Sequence, residues 1–268
     1  MDISFLTGII LILLLIFLIF KFVKTLFKAI LVSLLFIIAA FLIFMLLVYN
    51  DVSSVRTLPS QRIMFLFVSD NKFQSGFTTV FSKEEFNAMS NEKLSELQRY
   101  YNEKNYKKML SSFAAGNSTT AIRFFVFNED AIKNAGEKIT IEDFELSNEE
   151  VLSILKSQKP ITAFSSILVK KGRISEGQRT LIEREILSNN TEEEFKAKIF
   201  GLTVTSALEK DFSYLIKEYK KKNVIVYPRT PLFYLTSIIP EKMINSVFKK
   251  IEASINETNK EQKNKQSS

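Results

Sequence analysis

A serine three residues ahead of a lysine is the local pattern that lets a hydroxyl lie beside an amine base. It occurs four times in this chain, at Ser69, Ser90, Ser153 and Ser246. The Lys-Thr-Gly element that accompanies it in serine acyl-enzyme chemistry is missing, and the "SDN" triplet at Ser69–Asn71 overlaps the first match, so it cannot act as a separate element. Four matches are close to what this composition generates by chance. Paired carboxylates are the other chemistry open to the chain, since they need neither His nor Cys. The acids, however, gather in "SKEEF", "SNEEV" and "TEEEF", where helix capping and the helix dipole explain them.

With no Cys and no His, the sequence supplies no thiol nucleophile, imidazole base, thiolate zinc site, iron–sulfur ligand or disulfide. These residues therefore assign no catalytic, metal or cofactor-binding position. Two stretches suit binding instead. "YPRTP" sets Tyr227 and Arg229 after a buried strand, in a turn stiffened by two prolines, and "KKGR" places Lys170, Lys171 and Arg173 at a basic tip. The formal charge of +7 is spread through a sequence in which lysines interleave with acids. That spread disfavours a nucleic-acid surface, which concentrates its cations on one face.

The largest compositional break falls near residue 50. Ile3–Phe20 and Ala29–Tyr49 are uncharged apolar runs, each about the ~20 residues a helix needs to cross a ~30 Å hydrocarbon layer. Lys21, Lys24 and Lys28 lie between them at helical spacings of three and four, so they share a face. The pattern predicts a transmembrane helical hairpin over 1–49, with the lysine turn on the cytoplasmic side, Tyr49 as an interfacial anchor and both termini extracytoplasmic. Arg56 and Arg62 pull the other way, so a cytoplasmic head is the alternative.

A polar linker over 50–61 leads to one mixed α+β globular domain over 62–255, followed by a disordered polar tail over 256–268. "RIMFLFVS", "GFTTVF", "AIRFFVF", "KITIEDFEL" and "VIVY" read as strands. Ser82 with Glu85 reads as a capping box opening a helix that runs through "NEKLSELQRYYNEKNYKKML", and Ser147 with Glu150 as a second box. "ITAFSSILVKKGRIS" reads as a strand or hairpin turning at Gly172, residues 178–222 as mostly helical, and "PEKMINSVFKKIEASI" as a last amphipathic helix. A strand-strand-helix order appears over 62–112 and again over 121–158, a match of pattern with little residue identity, which favours two unrelated stretches over a duplication. The expected architecture is a sheet with helices packed on a face.

The functional expectation is a membrane-anchored, non-enzymatic protein whose extracytoplasmic domain binds a protein or cell-envelope component, its other partner being the lipid bilayer. The alternatives are a membrane-tethered hydrolase of envelope polymers, using carboxylates or a Ser/Lys pair, and a cytoplasmic-facing domain lying on anionic lipid or nucleic acid.

Overall fold

The structure is a computed structural model that describes residues 21–23, 27–28, 30–43, 46, 63–80, 83–114, 123–136, 138–141, 144–211 and 213–238. The chain divides into two units, Met1–Asp51 and Val52–Ser268. In the first, every described residue is helical and every one is exposed, with residues 30–43 forming helix α1. That stretch is roughly 20 Å long at 1.5 Å per residue. Among the described residues, no helix is long and apolar enough to cross a membrane. Ile3–Phe20, Lys24 and Tyr49 lie outside the described residues, as do the last expected helix and the tail. Lys21 and Lys28 are exposed helical positions, so the described part of the lysine segment is helix and not turn.

The second unit is a mixed α+β domain built on a five-stranded sheet of order β3-β2-β1-β4-β7. Its strands are β1 (Ile63–Ser69), β2 (Lys72–Val80), β3 (Lys83–Ala88), β4 (Arg123–Phe127) and β7 (Val224–Tyr227). β1 and β4 are parallel, and the other neighbours are antiparallel. β5 (Lys138–Ile141) and β6 (Phe144–Ser147) make a separate hairpin.

β1 and β4 are buried along their whole length apart from half-buried Val68, so both faces of the sheet need cover. Met64, Leu66, Phe124 and Val126 point to one face, under α2 (Asn91–Asn102) and α3 (Tyr106–Ala114), which contribute Leu94, Leu97, Tyr100 and Met109. Phe65, Phe67, Phe125 and Phe127 point to the other, where Phe200 of α8 (Glu192–Lys210) packs on Phe67, Phe77 and Phe127, and Phe233 of α10 (Pro231–Ile238) on Phe125. Helices thus cover both faces, where the sequence reading put them on one. The continuous apolar runs, with no alternation, are the physical reason.

Three local expectations also change. Residues 83–88 are strand β3, paired with β2 through Thr79↔Phe86, and the helix begins only at Asn91, capped by Ser90. It then breaks at Lys104, which takes φ 54° while Asn105 N–H bonds back to Tyr100 O, so the expected single helix is two. Residues 160–170 are helix α6 (Pro160–Lys170), burying Ile161, Phe164, Ser165 and Leu168 at helical spacing. Gly172, at φ 67°, ends it with the paired bonds Gly172 N–H to Val169 O and Arg173 N–H to Leu168 O. The repeated strand-strand-helix order does not recur in space: β1 and β2 are adjacent in the large sheet, whereas β4 lies there and β5 with β6 form the small one.

Between these come α4 (Glu129–Lys133), α5 (Asn148–Lys156), α7 (Glu176–Asn189) and α9 (Tyr214–Lys220). The Ser147/Glu150 box is formed in full at the start of α5.

Candidate functional site

The parallel interior pair β1 and β4 ends side by side, and the carboxyl ends of parallel strands are where open sheets commonly carry sites. β1 closes into β2 through a two-residue turn, Asp70 and Asn71 at φ 51° and 57°, which leaves Ser69 as the last strand residue. β4 runs into Asn128, whose side-chain oxygen accepts the Ala131 N–H at 2.9 Å and starts α4, so Glu129 follows directly. α5 ends there too, at Lys156.

These three segments meet. The buried Ser69 hydroxyl donates to Glu129 Oε1 at 2.5 Å, and Lys156 Nζ donates to the same oxygen at 2.8 Å. Asp70 Oδ2 lies 3.2 Å from the Ser69 hydroxyl and 3.5 Å from Lys156. The cluster borders a cavity of about 400 Å³ that also takes in Asn128, Lys133, Lys222 and Asn223. Its far wall is fixed by Glu218, 2% exposed, which accepts hydrogen bonds from Lys221, Asn134 and Asn223, while the Asn223 carbonyl accepts the Asn128 N–H at 3.0 Å.

Two carboxylates, Glu129 and Asp70, share the Ser69 hydroxyl, and a carboxyl pair is the arrangement glycoside-cleaving sites use. Their electrostatics suit that chemistry poorly. The Lys156 hydrogen bond, reinforced by Ser69, holds Glu129 below the usual carboxylate range, so it is a weak base and a poor proton reservoir. Glu129 in turn raises Lys156, which keeps the ammonium protonated and unable to deprotonate a serine. The arrangement offers fixed donors and acceptors around an open cavity.

Sequence patterns mark Ser69 and Lys156 separately, as halves of two different Ser-x-x-Lys matches. Glu129, which joins them, carries no local motif beyond its place just after a strand and an Asn cap.

The positions selected for binding lie elsewhere. Tyr227 pairs with Phe124 at the other end of β4 from this cluster, its ring stacked on Phe124 at 5.5 Å and beside Tyr106 at 5.8 Å. It is a packing residue. Arg229 is exposed in the turn after the cis Tyr227–Pro228 bond. Lys170 is exposed at the end of α6. Lys171 fastens α6 to its neighbours through Glu150 at 2.7 Å and the Glu145 carbonyl at 2.8 Å, and Arg173 is exposed just past Gly172. The basic tip is therefore the end of a helix. Among the described residues no group of acids is placed to hold a metal ion.

Comparison with protein-family models, curated proteins and solved structures finds no significant match.

Proposed function

We propose that the chain is a membrane-tethered, non-enzymatic protein whose α+β head binds a protein or cell-envelope component outside the cytoplasm. The observation that carries this reading is α1. Its aliphatic and aromatic side chains are exposed on every face, Phe36 at 74% and Ile37 at 65%. A helix apolar all round needs a non-aqueous cover, because each large side chain left in water forgoes ~1.5–3 kcal/mol.

Lipid is the cover we propose, with Ile3–Phe20 and Ala29–Tyr49 as the spans of a hairpin. Lys21, Lys24 and Lys28 would then stay on the cytoplasmic side, which places the head outside. The strand-end cavity beside Ser69, Glu129 and Lys156 is the binding surface we assign to the head, since its charges are held in states that favour recognition over proton transfer. Exposed Arg229, Lys170 and Arg173 are additional contact points for a large partner.

The absence of cysteine makes the test direct. In a Ser268→Cys variant of the full chain, a membrane-impermeant maleimide is expected to label intact cells as fully as broken ones. Labelling only after the cells are opened would overturn the extracytoplasmic assignment and favour a cytoplasmic head.

A further inference from the structure

A second cavity, of about 330 Å³, opens where the first residues of β2 run past the end of β3, beside the N-terminal end of α8. Ser75 sits opposite Phe67 on β1 and so faces the α8 side of the sheet. It is 3% exposed and lines the cavity, yet its hydroxyl has no hydrogen-bond partner among the described residues. A buried hydroxyl left in that state forgoes the hydrogen bonds it would make in water.

Lys196 lines the same cavity, one helical turn before Phe200, whose ring packs on Phe67 and Phe77. The natural partner for Lys196 is Glu192, four residues earlier, in the favourable Glu-to-Lys order. Glu192 instead accepts the Ile161 N–H at 3.1 Å at the start of α6, where no local side chain caps the helix. Glu193 accepts from Asn91 at 2.5 Å, and Glu194 completes the capping box with Thr191.

All three acids of the first turn are thus engaged, and Lys196 makes no hydrogen bond or ion pair among the described residues. Burial pushes its ammonium below the ordinary lysine range, against the pull of Glu192 and Glu193. A half-buried cation that makes no hydrogen bond or ion pair among the described residues and a buried hydroxyl without a hydrogen-bond partner border one opening.

We propose that this cavity binds the oxyanion of a small ligand, a carboxylate or a phosphate ester, with Lys196 as its counter-charge and the Ser75 hydroxyl as a hydrogen-bond donor. The N-termini of α2, α6 and α8 all reach the cavity through Asn91, Pro160 and Glu192, and their partial positive charges favour the same sign of ligand. Glu192 and Glu193, which also line the cavity, are already accepting from the Ile161 N–H and from Asn91. This site is separate from the strand-end cavity and does not depend on its assignment.

The test is trace acetylation of the full chain in detergent at about pH 8, with each lysine quantified by mass spectrometry in chloride, acetate or inorganic phosphate at matched ionic strength. A bound oxyanion that raises the Lys196 pKa by one unit slows its acetylation ~10-fold, while exposed Lys72 and Lys107 keep their rates. Protection by phosphate alone identifies a phosphate ester as the ligand class, and protection by acetate as well identifies a carboxylate. In Ser75→Ala the protection is expected to weaken. Equal Lys196 rates in all three salts, equal slowing of Lys72, or undiminished protection in Ser75→Ala would each overturn the proposal.

Discussion

Gly201, in the middle of α8, lies over Phe86 of β3. A Cβ added there would meet three carbons of the Phe86 ring at 2.6, 2.7 and 2.9 Å, where unstrained carbons sit ~3.5–4.0 Å apart. The ring also packs edge-on against Phe77, centroids 5.0 Å apart, so moving it disturbs a second aromatic contact. Gly201→Ala therefore sets two effects against each other. Replacing glycine inside a helix stabilises by ~1 kcal/mol, and forcing a methyl into a filled space costs ~1–3 kcal/mol.

The displacement required, about 1 Å against an aromatic ring, puts the cost in the upper part of that range and leaves a net loss of ~1 kcal/mol. In a Phe86→Ala background the obstruction is gone and the same substitution should stabilise by up to ~1 kcal/mol. Urea titrations of the four proteins in detergent, followed by far-ultraviolet circular dichroism, would give a coupling of ~2 kcal/mol with a change of sign. If Gly201→Ala stabilises the parent by the full helical amount, α8 does not rest on β3, and the helical reading of residues 83–88 returns.

Glu218→Ala should cost ~3 kcal/mol in the same titration, because it leaves the amides of Asn134 and Asn223 without their charged acceptor while the half-exposed Lys221 returns to water. Acid should weaken the domain in part through Glu129. Its folded pKa lies below the unfolded one, so its contribution is complete above the ordinary carboxylate range, about pH 4.5, and is lost as pH falls through the lower folded value. Stability of Glu129→Gln measured against pH should accordingly fall less steeply in that acid window than the parent's, and an identical slope would remove Glu129 from the account. Gly172→Ala meets no atom within 4 Å, so only the left-handed backbone opposes it; a loss of ~1–2 kcal/mol is expected, and no loss would mean that α6 ends differently.

Much of the fold is legible in the sequence where local and long-range forces agree. β1, β4 and β7 are apolar runs of strand length, and the Ser147/Glu150 box announces α5 just ahead of its apolar face, which begins at Val151. β3 is illegible because "SKEEF" carries a genuine helix-start signal, and pairing with β2 along an edge overrides it. α6 is misread for a related reason: Thr162, Ile161, Ile167 and Val169 raise strand propensity, while Pro160 at its first turn and Gly172 past its end are punctuation that fits a hairpin as well as a helix. The strand-end cluster is hidden more deeply, since Ser69, Glu129 and Lys156 come from three segments joined only by tertiary closure. The Ser75 and Lys196 pair is hidden likewise: that Glu192 accepts the Ile161 N–H follows from where α6 begins, which no local spacing encodes.

On the function proposed above, lipid covers α1 on every side. Alkaline extraction of membranes from cells producing the full chain tests it most directly: the protein should stay in the membrane pellet and be released only by detergent. Quantitative release into the alkaline supernatant would show that the exposed apolar helix finds its cover elsewhere, and would contradict the membrane tether.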